Sequence, residues 1–531
     1  MPQKICAPDL QNICLRNIAQ NMDKHWAADY KDNFHNQMDV LHLVGPFEYF
    51  TSALIQKLID VMIATKTLRH HHFQLLIHAR IEKVDLSKCT IGTLDKAVKI
   101  IGQRCDKLKV LNLANRSNVS AKTLVQVIPE MFNLVTLNLE GTKANDQLLQ
   151  LIAKNLKSIQ DLNVLGCPVT DTGIINLCMD FTNENPKCSL LRKLILSSGH
   201  LTRKSAIIAL GHLPSLEYLH HPSIMEALTI IHGDAFVSGA PIAIGDTHKI
   251  RNLTLSGLDS ITSTLTEKCF DIAATYCPNV TEVVFHHEIT NNMMSHLSRF
   301  KYLNSLELAG SNEDDPSTVN FEDGLLPLLC NIGKQLVKLN VVDMNKFDLD
   351  ALGHFCPNLR VFHYTTMELP NVEFSEHFLA KCLNNNIKTP HKPFSYLNQL
   401  QIVIMMKNCE NLSEAKFIRL FNNCQNLQDL HLSGLPSFTD AVFDTILDLT
   451  ENLKNVNTLQ LYECDNISDV PIWRVVQSDS MLKTLYINHC NHFTRQIYTS
   501  MLQYIKTSCL DLKLTCMEWK GVLNAGGHLV M

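Results

Sequence analysis

The chain has 531 residues, 46% of them apolar, and a formal net charge of −5. The apolar share is ample for a continuous core, and the charge supplies no broad basic surface for nucleic acid. The opening Met1-Pro-Gln-Lys-Ile-Cys-Ala-Pro-Asp9 has no apolar h-region and no run reaches the ~18 apolar residues of a membrane span, so a soluble intracellular protein is expected, cytoplasmic or nuclear, with no membrane partner.

The first periodic stretch, residues 9–22, places Leu10, Cys14 and Ile18 at i, i+4 and i+8 on one face of an amphipathic helix. Asp9 stands where a helix N-terminus favours an anion. After Gly45-Pro46, a second helical pattern carries Phe50, Leu54, Leu58 and Met62 on one side. Together these form a helical N-terminal module over residues 1–75. Arg69-His-His-His72 leads out of it. Neighbouring histidines point in different directions, so this run is expected to be a solvated turn and not a metal site.

From Ile81 one spacing recurs, L-x-x-L-x-L-x-x-C in its fullest copy, Leu482-Lys-Thr-Leu485-Tyr-Ile487-Asn-His-Cys490. Copies start at Ile81, Leu108, Leu134, Ile159, Leu191, Leu216, Ile250, Val280, Leu303, Leu336, Leu359, Leu397, Leu427, Val456 and Leu482, with a degenerate last one near Leu512 and Leu514. The pattern is that of a leucine-rich repeat, each unit a strand, a turn and a helix. The expected fold is an α/β solenoid, a horseshoe of about sixteen units over residues 76–515. Helix starts are visible where Ser120 precedes Leu124 and Ile128, and where Asp146 precedes Leu148, Ile152 and Leu156. Four units are over-long, those after Ile159, Leu216, Leu303 and Leu359; the third carries the acidic Asn312-Glu-Asp-Asp-Pro316. The additions are expected in loops. From Cys516 the pattern fades through Trp519 and Gly526-Gly527, a C-terminal cap over residues 516–531.

Half of the 18 cysteines fall on this lattice. Cys89, Cys167, Cys464 and Cys490 take the inward slot eight residues after a repeat start; Cys105, Cys188, Cys277, Cys356 and Cys424 stand three residues before one. They read as small buried hydrophobes in a reducing compartment. With no CxxC pair anywhere, zinc is not expected.

Strand residues between the buried ones face the concave side of a solenoid. Asp85, Asn112, Asn138 and Asn163 form a polar ladder whose amides bond one another or an extended peptide; His220, His286, His363 and His431 follow. Near the end come Gln460, Tyr462, Tyr486 and Asn488. With His431 these are the candidate substrate-binding residues, because polar-tipped aromatics on a rigid surface anchor protein partners. No G-x-x-x-x-G-K-[ST], H-E-x-x-H or G-x-S-x-G occurs, so neither catalysis nor a cofactor is expected.

The repeats resemble the cysteine-containing leucine-rich repeats of ubiquitin-ligase substrate receptors, on Cys277-Pro-Asn-Val280, Cys356-Pro-Asn-Leu359, Cys464-Asp-Asn-Ile467-Ser-Asp469 and Cys167-Pro-Val-Thr-Asp171. Leu10-x3-Cys14-x3-Ile18 is similar to the BC box of VHL-box receptors, which implies docking on elongin B/C. Phe50-Thr-x2-Leu54-x3-Leu58 is similar to the cullin box, which implies contact with a cullin. Asp9 and Thr51 depart from those patterns, Thr51 standing where the cullin box has Pro. The whole is similar to ZYG/ZER-type VHL-box receptors without their armadillo region. An F-box-like reading of Thr51-x2-Leu54-x3-Leu58 implies a Skp-type adaptor instead. The resemblance implies the substrate-recognition subunit of a cullin-RING ligase with a protein substrate. The alternatives are a repeat scaffold or inhibitor without ubiquitin transfer, and N-terminal helices that merely cover the first repeat.

Overall fold

The computed structural model describes residues 10–28, 47–179, 188–196, 200–242, 244–255, 266–285, 289–309, 319–344, 347–366, 393–404, 418, 420–435 and 437–516. Two compact bodies, residues 7–280 and 281–531, are taken separately. His286, the acidic run 312–316 and, beyond Cys516, the expected cap lie outside the described residues.

The first body opens with helix α1 (Leu10–Asn21), a wider turn at Met22–Ala27, then α2 (Ser52–Ala64) and α3 (His70–Leu76). Seven strands follow: β1 (Lys83–Asp85), β2 (Val110–Asn112), β3 (Thr136–Asn138), β4 (Asp161–Asn163), β5 (Lys193–Ile195), β6 (Tyr218–His220) and β7 (Asn252–Leu255). Each pairs in parallel with the next, in a register that aligns equivalent repeat positions. The second body continues the pattern with β8 (Glu282–Phe285), β9 (Ser305–Ala309), β10 (Lys338–Val342), β11 (Val361–Thr366), β12 (Gln399–Ile404), β13 (Asp429–Ser433), β14 (Thr458–Tyr462), β15 (Thr484–Asn488) and β16 (Lys513–Thr515), again parallel throughout. The fold is a leucine-rich-repeat α/β solenoid, and the first fifteen strands each begin two residues after the expected repeat start.

The period explains the burial. In the first repeat Ile81, Val84, Leu86 and Cys89 are all closed to solvent, and the same four slots recur along the stack. The lattice cysteines are free thiols inside it, with only Cys490 half-buried. Burial pushes the thiols of Cys105, Cys277 and Cys424 up to about 12, which leaves them protonated and inert.

A second lattice, of hydrogen bonds, joins the helix starts of successive repeats. The Asp95 carboxylate accepts from the backbone N–H and hydroxyl of Ser120; Asp146 does the same for Thr170, Asp171 for Thr202 and Asp440 for Ser468. Each of those hydroxyl residues caps its own helix. Asp146 is therefore not the N-cap that its place before Leu148 implied. Asn145 is, accepting from the Leu148 N–H, while Asp146 reaches the next repeat. A Cβ on Gly173 would stand 2.3 Å from the Asp146 carboxylate, so glycine leaves that bridge its space.

Two other expectations are corrected. Arg69–His72 is no solvated turn, because α3 begins at His70 and His72 is fully buried. The addition after Leu216 is mainly a helix, Ile224–Ser238, ended by Gly239 in the left-handed conformation at φ +62°. Its run of helix-compatible residues outweighs the loop expectation.

Candidate functional site

The N-terminal module divides its apolar residues between two faces of α1. Leu15, Ala19 and Met22 are buried on the side that packs on α2. On the opposite side Leu10 is 73% exposed, Cys14 is exposed, and Ile18 is half-buried at the margin. Ile13, 46% exposed, joins them. The i, i+4 spacing missed it, although i+3 neighbours share a helix face. Lys57 of α2 donates to the Gln11 side chain at 2.8 Å across the packed edge.

The second helix is committed to the fold. Thr51 caps it, accepting from the Leu54 N–H. Ser52 Oγ accepts from the N–H groups of Glu82 and Lys83. Gln56 accepts from the Asp85 N–H at 2.8 Å and donates to the Asp85 carbonyl at 3.0 Å. Side chains of α2 thus satisfy the open backbone edge of β1, which an unpaired strand would otherwise present to other chains. Of the three residues expected to contact a cullin, Leu58 is fully buried with Ile55, Ile59 and Met62. It is corrected to a core residue, because the cap needs its apolar face inward. Phe50, edge-on to Phe47 at 5.3 Å, and Leu54 are half-buried.

On the second body, strand register brings the expected substrate-binding residues together. His431, Gln460 and Tyr486 occupy one row across β13, β14 and β15; Tyr462 and Asn488 occupy the next. Tyr462 is 37% exposed and the other four are half-buried on the face opposite the core. The His489 ring stands edge-on to Tyr462 at 4.9 Å. Burial holds His431 below the ordinary imidazole range; burial and Lys338 do the same for His363. Near pH 7 both are neutral, so this strip offers two phenols, amides and uncharged imidazoles to a partner.

The polar ladder on the first body is largely used internally. The side-chain oxygens of Asn112, Asn138 and Asn163 each accept the backbone N–H two residues on, shaping the turn after the strand. Only Asn112 bonds a ladder neighbour, donating to Asp85 at 3.0 Å.

Two clusters have the composition of chemical sites and the wrong protons for them. Asp23 Oδ1 lies 2.7 Å from His71 Nε2 and 2.9 Å from His72 Nε2. These three are the one His/Cys/Asp/Glu group with metal-ligand spacing among the described residues. Yet His72 Nδ1 accepts the Arg69 N–H at 3.1 Å. Nε2 must then carry the ring proton and donate to Asp23, whereas a ligating imidazole has its proton on the other nitrogen. The group does not fit a metal; it ties the turn after α1 to α3. Partial burial works to raise the Asp23 carboxyl, but the His72 and His71 hydrogen bonds outweigh it and bring it down to about 2. Likewise Ser205 Oγ and His221 Nε2 are 3.0 Å apart, both buried. His221 Nδ1 accepts the Ser223 N–H, so Nε2 donates to the serine and is no base for it.

No protein-family model matches the sequence, and no curated protein does. Among solved structures the chain is similar to the yeast Rad7–Elc1 complex, at 16% identity over 93% of this chain and 96% of that one, TM-score 0.41. It is similar also to the internalin inlF of Listeria monocytogenes, at 16% identity over 74% of this chain and 94% of that one, TM-score 0.39. Both stand below a TM-score of 0.5, so the repeat assignment rests on strand register and burial, not on these likenesses.

Proposed function

We propose that this protein is a substrate-recognition subunit of a cullin-RING ubiquitin ligase, docking an elongin B/C adaptor through α1 and a protein substrate on the open strand face. The observation that carries the reading is α1. One side is consumed by packing, while Leu10, Ile13 and Cys14 stay outside as knobs suited to a groove on a partner. The double change Leu10→Ala with Cys14→Ala is expected to cut co-purification with elongin B/C at least about tenfold, as for paired anchors in other interfaces. Circular dichroism and melting temperature should not move, because neither side chain supports the core. A wild-type chain that recovers neither elongin nor a Skp-type adaptor would sink the receptor reading.

For the substrate end, Tyr462→Ala with Tyr486→Ala is expected to weaken capture of whichever protein the wild type recovers by about tenfold, with melting unchanged. Undiminished capture would move the site elsewhere. The second reading, a scaffold or inhibitor without ubiquitin transfer, is favoured by α2. Its Ser52, Gln56 and Leu58 serve the first strand, leaving only half-buried Phe50 and Leu54 for a cullin. Elongin binding without cullin recruitment would decide for it.

A further inference from the structure

The inward slot eight residues after a repeat start holds cysteine in two successive repeats at one place only. Cys89 is followed there by Arg116, and Cys167 stands between Thr142 and Gly199, but Cys464 is followed by Cys490. Strands β14 and β15 pair in parallel with Tyr462 opposite Asn488, so the two cysteines, each two residues further on, lie on neighbouring rungs. Adjacent strands are about 4.8 Å apart, inside the roughly 4.4–6.8 Å Cα separation that a disulfide spans. Both are free thiols, and their sulfurs hydrogen-bond each other. Cys464 Sγ lies 3.6 Å from the Tyr462 carbonyl and Cys490 Sγ 3.5 Å from that of Asn488, directly behind the candidate recognition strip.

The two sulfurs are not equivalent. Cys490 is half-buried while Cys464 is closed to solvent. The Cys464 thiol points its proton at Cys490 and favours the Cys490 thiolate; burial opposes this, the Cys464 backbone N–H adds to it, and Asp465 and Glu463 oppose it. The net result makes Cys490 the nucleophile of the pair and Cys464 the resolving thiol. At Cys105, Cys277 and Cys424 burial is the main cause that raises the thiol.

We propose that Cys464 and Cys490 form a reversible intramolecular disulfide when the protein meets a small-molecule disulfide such as oxidised glutathione. The Cys490 thiolate attacks one glutathione sulfur, the S–S bond breaks, and the first glutathione leaves as a thiolate. The Cys464 thiol gives its proton to that thiolate, and its sulfur attacks Cys490 in the mixed disulfide. The second glutathione leaves as a thiolate and takes a proton from water. Two electrons have passed from the cysteine pair to the glutathione disulfide. The covalent bond then replaces the hydrogen bond between the two sulfurs, directly behind the strip.

The full chain is incubated with oxidised glutathione and digested without reduction for mass spectrometry. A peptide linking Cys464 to Cys490 is expected, lost again on adding dithiothreitol. Its thiols should disappear at least about tenfold faster than those of buried Cys105, Cys277 and Cys424, which lack an accessible thiolate. Cys464→Ser should strand glutathione on Cys490, and Cys490→Ser should leave Cys464 unmodified. A wild-type chain in which glutathione stays on Cys490 without crosslinking overturns the proposal. So does one in which exposed Cys14, Cys330 and Cys509 react while the pair remains reduced.

Discussion

Gly434→Ala should destabilise the protein by more than about 3 kcal/mol, read as the shift in a denaturant unfolding curve. A left-handed backbone recurs at the seventh position after a repeat start: Asn115, Gly141, Gly166, Asp343, Gly434, Glu463 and His489 all have φ between +49° and +67°. Most of these are not glycine, so the conformation alone costs only about 1–2 kcal/mol for an L-residue. Gly434 differs in what surrounds it. A Cβ there would stand 1.9 Å from the Ile404 carbonyl oxygen and 3.0 Å from its carbon. That neighbour is backbone of the adjoining strand and cannot rotate away. The Gly434 N–H donates to the Tyr462 carbonyl at 2.9 Å, so moving the turn would break the ladder on its other side. Gly166→Ala is the control, with φ +67° but nothing nearer than 3.8 Å to its added carbon. It should cost about 1 kcal/mol, the conformational part alone. Equal losses at the two positions would show that close approach plays no part in the choice of glycine.

What was legible in the sequence is what depends on a short period. Leu482, Leu485, Ile487 and Cys490 repeat every few residues because each strand buries alternate side chains, so starts, strands and core followed directly. The outward side of α1 was legible for the same reason. Long-range polar pairing was not. Ser52 and Gln56 look like ordinary helix-surface residues, and only the tertiary position of α2 shows that they close the edge of β1, 29 to 31 residues away. Asp146 carries the signature of a helix cap, and its partner Thr170 is 24 residues on. Leu58 matched a docking pattern because an apolar i, i+4 stripe is the same whether it meets a partner or the first repeat. His72 failed the expectation for a polar run because one carboxylate, Asp23, lies where a buried imidazole N–H must donate.

Acidification is expected to unfold the first body through its buried histidines, His221 among those held lowest. His221 is 1% exposed, held between the Ser223 N–H at Nδ1 and Ser205 Oγ at Nε2, with Asp171 and His220 the nearby ionisable groups. Burial pulls it down from 6.5 to about 4; Asp171 works against that and His220 with it. The folded value lies below the unfolded one, so the contribution is full above pH 6.5. As pH falls from there toward 4, the unfolded chain takes up a proton that the folded chain refuses, and stability drops. At about 1.4 kcal/mol per pH unit, the loss from this one group reaches about 3 kcal/mol by pH 4. Protonation at Nδ1 would turn the acceptor of the Ser223 N–H into a second donor, so no rearrangement of the ring escapes the penalty. His221→Gln keeps a polar side chain without the titration. Unfolding free energies measured from pH 7 to pH 4 should show the variant weaker at pH 7 by about 1–2 kcal/mol for its poorer hydrogen bonds. The two curves should converge and cross before pH 4. Curves that stay parallel across that window would mean that His221 keeps its ordinary value in the folded protein, and that its burial is relieved on a timescale that lets the proton in.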